Sequence, residues 1–90
     1  MKTKKIKEQT YWVYIVKCND GSYYTGIARD LDARVATHNS GKGAKYTNAR
    51  KPVVLIYSQQ QPSRSEALKQ EYAIKQLSRQ EKEKLIDNIL

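Results

Sequence analysis

The apolar positions of this chain fall first into strand-like runs and then into helical stripes. Residues 11–18, YWVYIVKC, are aromatic and β-branched and predict a strand. Asn19-Asp20-Gly21 follows, then SYYTGIA as a second strand, so the pair reads as a β-hairpin. The turn sets its register. A two-residue Asp20-Gly21 loop pairs Cys18 with Tyr23 and sends Tyr14 and Tyr24 to opposite faces. A three-residue loop pairs Cys18 with Ser22, Val16 with Tyr24 and Tyr14 with Gly26. The second is preferred, because Asn and Asp suit right-handed turn positions and Gly21 supplies the positive φ that follows. Tyr14 and Tyr24 then share one face, and Val13, Ile15, Tyr23 and Ile27 take the other. Gly26 leaves a bare position opposite Tyr14, where a partner could approach the sheet.

Beyond Arg29 the spacing becomes helical. Asp30 is an N-cap for a helix over LDARVATHN, stopped by Ser40-Gly41, with Leu31 and Val35 as its buried stripe. Arg34 and His38, at i and i+4, form a ridge beside that stripe. Residues 39–51, NSGKGAKYTNARK, read as a basic, Gly-containing loop, and VVLIYSQ after Pro52 as a third strand. Ser63-x-x-Glu66 is a capping box opening a helix from about Arg64 to Leu77. Ser78-x-x-Glu81 repeats the device for a last helix with Leu85, Ile86 and Ile89 on one side. Residues 1–10 lack periodicity and are expected to be a flexible basic tail, leaving 11–90 as one domain. The order ββαβαα predicts an α+β fold, a three-stranded antiparallel or mixed sheet flanked by helices.

Ninety residues suffice for one small domain. No apolar run reaches the roughly 20 residues of a membrane span, and no apolar segment follows the basic start as in a signal peptide. The single cysteine, Cys18, has no internal partner for a disulfide. A cytoplasmic protein is the expectation. Charge adds a direction: 17 Lys and Arg against nine Asp and Glu leave a net +8 and a pI near 9.7. Four of the basic residues lie between Lys42 and Lys51. Such clustering attracts phosphate backbones and releases their counterions, although many small basic proteins bind no nucleic acid.

Glu71 carries the most chemical information. Ala67, Leu68, Tyr72 and Ile74 outline the expected buried face of their helix, and Glu71 lies between them. A carboxylate there needs a cation, whether Arg, Lys or a divalent metal; the alternative is a rim position paired with Lys75 at i+4. Tyr14, Tyr24, Arg34 and His38 are each ordinary residues when taken singly. GKGAKYT lacks phosphate-loop spacing, so plain phosphate contact by Lys42 and Lys45 is the reading. As a set these residues fit phosphodiester hydrolysis. A tyrosine or histidine would accept the proton of water, Arg34 would meet the charge, and Glu71 would hold one hard divalent cation.

VYI at 13–15, YTG at 24–26, then Arg34, His38 and Glu71 in that order resemble the GIY-YIG nuclease superfamily. The resemblance covers about residues 11 to 88. SGKGAKYT and EYAIKQLSRQEKEKLI are similar to segments of its small stand-alone bacterial group of uncharacterised, YhbQ-like proteins. It implies a three-stranded antiparallel sheet flanked by helices, and one Mg²⁺ or Mn²⁺ held by Glu71. It further implies Tyr14 and Tyr24 at the water and phosphate, Arg34 on the transition state, Gly26 permitting close approach, and His38 as an auxiliary base. Many relatives carry a later active-site asparagine; here that neighbourhood holds Lys82, Glu83 and Lys84, and Asn88 is not assigned the role.

The function expected is thus a metal-dependent DNA endonuclease, structure-selective or weakly specific, since no residues remain for a second DNA-binding domain. Branched or damaged DNA in repair or recombination is the expected substrate. Lys42, Lys45, Tyr46, Arg50 and Lys51 are the expected nucleic-acid contacts. Two other classes stay open: a non-catalytic nucleic-acid-binding module, and an adaptor docking on a repair or recombination protein through tyrosines and Trp12.

Overall fold

The computed structural model describes residues 10–87. The tail expected over residues 1–10, Thr10 apart, lies outside them, as do Asn88 and Ile89. The hairpin sets the frame. Strands β1 (Tyr11–Lys17) and β2 (Tyr23–Ala28) pair antiparallel with Tyr14 opposite Gly26 and Val16 opposite Tyr24. The loop is the three-residue one: Cys18 N–H donates to Ser22 O at 2.8 Å, and Gly21 takes a φ of 87°. Asp20 braces it, accepting from Ser22 N–H at 3.0 Å, Ser22 Oγ–H at 2.6 Å and Arg50 Nε–H at 3.0 Å.

Helix α1 (Leu31–Asn39) follows, then a single turn α2 (Lys45–Asn48), strand β3 (Val54–Gln61), and helices α3 (Arg64–Lys75) and α4 (Arg79–Asp87). The turn α2 lies inside the segment expected to be all loop, and β3 runs on to Gln61, just before Pro62. The strand order is β2-β1-β3, antiparallel throughout. A bulge lets pairing pass from Ile15–Tyr57 to Val16–Leu55.

Because β1 is central and its side chains alternate, it feeds two cores. Val13 and Ile15 pack with Tyr57 and with Ala67 and Ile74 of α3. Tyr14, Val16 and Cys18 pack on the other side with Ala28 and Val53, and with half-buried Tyr24, Leu31 and Val35. Helix starts are capped as the sequence predicts: Asp30 Oδ1 accepts from Ala33 N–H at 3.0 Å, and Ser63 Oγ from Glu66 N–H at 3.2 Å. At Ser78 the box closes both ways, with bonds of 3.2 and 2.8 Å to Glu81.

One expected face is displaced. Leu68 is 37% and Tyr72 69% exposed, whereas Ala67 and Ile74 are buried and Gln70 and Glu71 half-buried. The inward stripe of α3 therefore runs 67, 70, 71, 74, the i, i+3, i+4, i+7 pattern. Small Ala67 lets the helix sit close to the sheet, and the two larger apolar side chains are left on its flank. At the far end of α1, Asn39 clamps Val53, the residue before β3: Nδ2 donates to Val53 O at 3.1 Å and Oδ1 accepts from Val53 N–H at 2.7 Å. Among the described residues no helix is long and apolar enough to cross a membrane.

Candidate active site

Alternation along the hairpin puts Tyr14 and Tyr24 on the face covered by α1, where His38 points in from the last turn of that helix. His38 is the buried residue of α1, 1% exposed. Its Nε2 lies 2.8 Å from Tyr14 Oη and its Nδ1 2.7 Å from Thr47 Oγ1. The Tyr24 ring meets the imidazole edge-on, with centroids 5.3 Å apart. Arg34, one turn earlier, and Glu71 of α3 line the same cavity of about 360 Å³. The five side chains named from the sequence thus converge from β1, β2, α1 and α3.

The electrostatics follow from that packing. Burial first, then the neighbouring Tyr24 and Glu71, push the Tyr14 phenol up to about 12, although Arg34 pulls the other way. Burial first, then the Arg34 charge, lowers His38 below its ordinary value. The resting pair at neutral pH is a phenol and an uncharged imidazole. A stability consequence can be measured. Unfolded, His38 takes up its proton near pH 6.5, but folded only at lower pH, so in that window the unfolded chain holds more protons. Stability is therefore fully present above that value and falls as the pH is lowered through it. Denaturant midpoints should drop from about pH 7 to about pH 5 in the native protein and drop less in His38→Gln. Equal slopes in the two proteins would assign the effect to another group.

Gly26 lines the cavity and also serves the fold. A Cβ there would lie 2.6 Å from Tyr14 Oη and 2.8 Å from Tyr14 Cζ. The missing side chain makes room for the protein's own phenol, which crosses β2 to reach His38. Gly26→Ala should push that ring off its partner and lower stability by about 1–3 kcal/mol, read from denaturant unfolding.

Of the two readings of Glu71, the structure gives the rim position paired with Lys75. Its side chain is 18% exposed at the cavity wall, and Oε2 is 3.2 Å from Lys75 Nζ. Among the described residues no group of three or more His, Cys, Asp and Glu could hold a metal between them. A single carboxylate facing an open cavity fits a hard Mg²⁺-like cation that keeps most of its water shell, and does not fit a closed zinc site. Arg34 is exposed, and none of the four ion pairs among the described residues uses it.

The basic segment is divided in its uses. Lys42 lines the cavity. Lys45 is exposed at the start of α2, and Lys51 donates to Asn48 Oδ1 at 3.3 Å. Tyr46, 37% exposed, stacks on Tyr24 with centroids 6.0 Å apart. Arg50 lies over the Tyr46 ring at 3.9 Å, pairs with Asp20 at 3.0 Å and donates to Tyr46 O at 3.0 Å. Its guanidinium is engaged in the fold, which leaves Lys42, Lys45 and Lys51 as the more available cations. Lys82 lines an adjoining depression with Lys75, Tyr23, Tyr24 and Tyr46. Trp12, an anchor in the adaptor reading, is half-buried. Two residues the sequence reading passed over are Thr47, fully buried against His38, and Gly43, where a Cβ would run into His38 Nδ1 and Cα. Both sit in a segment without periodicity, and a Gly required by close approach looks there like one required by flexibility.

Comparison with known proteins gives a concordant result. The family model described as the GIY-YIG catalytic domain matches residues 10–84. The chain is 60% identical over 76 residues to the UPF0213 protein SERP0126 of Staphylococcus epidermidis, covering 84% of this chain and 93% of the relative. It is 57% identical over 77 residues to the UPF0213 protein SH2523 of Staphylococcus haemolyticus, covering 86% and 94%. Among solved structures it is similar to that of the UPF0213 protein BH0048 from Bacillus halodurans, with TM-score 0.57, 49% identity and coverage of 87% of this chain and 83% of that one. The structure of EF2693 from E. faecalis gives TM-score 0.62 at 40% identity, covering 90% and 86%.

Proposed function

The chain belongs to the GIY-YIG family, and on that premise we propose that it is an endonuclease hydrolysing phosphodiester bonds in DNA at the Tyr14–Tyr24–Arg34–His38–Glu71 cavity. The observation that carries the proposal is the convergence of these five side chains on one open cavity with a buried phenol–imidazole pair at its wall. Water attacking phosphorus must lose a proton. With Tyr14 at about 12, an ionised phenolate is not the resting base. The phenol instead works through its 2.8 Å bond to His38 Nε2: as its oxygen takes a proton from water, its own proton passes to the imidazole. Tyr24, on the same face, orients the attacking water or a phosphate oxygen. Arg34 supplies a guanidinium to the charge that builds on the phosphoryl oxygens. Glu71 is the residue that would hold a divalent cation, Mg²⁺ or Mn²⁺, which when bound stabilises the departing oxygen as a Lewis acid.

Lys42 in the cavity wall, with exposed Lys45 and Lys51 on the same segment, favours contact with the phosphate backbone, and backbone contacts position without reading sequence. Cleavage governed by DNA structure, of branched or damaged forms in repair or recombination, is the finer form of this reading. The test is incubation with branched, flapped, nicked and linear DNA in Mg²⁺ or Mn²⁺, beside a chelator control. Metal-dependent products are expected on at least one of them. Salt-sensitive binding with no product on any would sink the nuclease reading and leave the non-catalytic binding module.

A further inference from the structure

We propose that Thr47 is a positioning residue for this site: it holds His38 in the tautomer with its proton on Nδ1, so that the Nε2 lone pair faces Tyr14. The inference rests on the nuclease reading for its catalytic meaning but on hydrogen-bond geometry for its content. Thr47 Oγ1 lies 3.0 Å from Ala44 O, to which it donates, and 2.7 Å from His38 Nδ1. A hydroxyl has one proton to give. Spent on the Ala44 carbonyl, it leaves Oγ1 as an acceptor, and Nδ1 must be the donor. Nε2 is then the acceptor of the Tyr14 hydroxyl at 2.8 Å. The polarity runs one way, Tyr14 to His38 to Thr47 to Ala44 O, with three protons making three bonds.

The opposite tautomer makes fewer. Thr47 would turn its proton to Nδ1 and give up Ala44 O, His38 Nε2–H would donate to Tyr14 Oη, and the Tyr14 proton would face the cavity. Imidazole basicity toward Tyr14 would be gone, because Nε2 would already hold a proton. The surroundings prevent the ring from escaping this choice. Thr47 is 0% and His38 1% exposed, so water does not substitute for either partner. Gly43 packs so closely against the ring that any Cβ there would overlap Nδ1. Ala44 and Thr47 are themselves tied together by the α2 turn, in which Asn48 N–H also donates to Ala44 O at 3.0 Å. The GKGAKYT segment is thus a clamp on the histidine as well as a carrier of lysines.

The test uses ¹⁵N-labelled full-length protein and reads the ring nitrogens of His38, the sole histidine, by NMR. The native protein should show Nδ1 protonated and Nε2 bare. Thr47→Val keeps the shape but removes the acceptor; the ring should move toward the Nε2–H form, and cleavage should fall by on the order of 10²-fold. Thr47→Ser should restore both the ring signature and most of the cleavage. An Nε2–H ring in the native protein overturns the proposal, as does a folded Thr47→Val protein that keeps its ring signature. Should Thr47→Val not fold, the native spectrum and Thr47→Ser still decide. A native protein with the Nδ1–H ring that cuts no DNA would sink the nuclease reading alone.

Discussion

Glu71→Gln should lower metal-dependent cleavage by on the order of 10³-fold or more while the protein stays folded, because a Lewis acid contributes several kcal/mol to the transition state. The amide keeps the size of the carboxylate but not its charge, and a hard divalent cation binds charged oxygen far better than neutral amide oxygen. The fold should tolerate the change. Glu71 is at the rim of the α3 interface, and its Lys75 partner is half exposed, so losing that ion pair costs less than about 1 kcal/mol. Two measurements separate the roles: Mn²⁺ binding by calorimetry should weaken along with cleavage, and the denaturant midpoint should hold. Retained cleavage would remove the metal role from Glu71. Retained metal binding with lost cleavage would instead give the carboxylate a part in aligning substrate.

Glu71 shows what a sequence can and cannot say about such a site. The expected apolar face of α3 took in Ala67, Leu68, Tyr72 and Ile74, yet the helix docks through Ala67 and Ile74 and leaves Leu68 and Tyr72 exposed. Close approach rewards small side chains, and a hydrophobicity pattern weights large ones. Glu71 survives the error because it lies within both stripes, moving from the middle of the expected one to the margin of the true one. The hairpin was legible in full, because its register depends on Asn19-Asp20-Gly21 and on alternation, both local. The helix caps at Asp30, Ser63 and Ser78 were legible for the same reason. His38 was not. Its partners lie 24 residues away in β1 and nine away in α2, and only the closure of the fold makes a near-terminal histidine the buried residue of its helix. Ordered motifs named it as a family residue, but its burial, its tautomer and the need for Gly43 belong to tertiary structure.

Arg34→Ala is the companion test, with an expected loss of 10²–10³-fold in kcat, the usual order for removing one donor that meets transition-state charge. Stability should change by less than about 0.5 kcal/mol, since Arg34 is exposed and holds no ion pair among the described residues. Arg34→Lys should recover only part of the rate: an ammonium is a single point of charge, and the planar guanidinium addresses two phosphoryl oxygens at once. The same variant reports on the site without substrate. The Arg34 charge is one of the two causes that lower His38, after burial, and it also pulls Tyr14 down against the larger push of burial. Removing it should let His38 protonate at higher pH and raise Tyr14 further, the first shift being readable by NMR titration of the imidazole. The two effects oppose each other in the chemistry, a more basic imidazole facing a less acidic phenol, so the transfer between them should gain little. The loss in rate should therefore come from the phosphate side. A rate that falls while His38 titrates as before would place the guanidinium too far from the relay to act on it, and would leave Arg34 a contact to the DNA backbone.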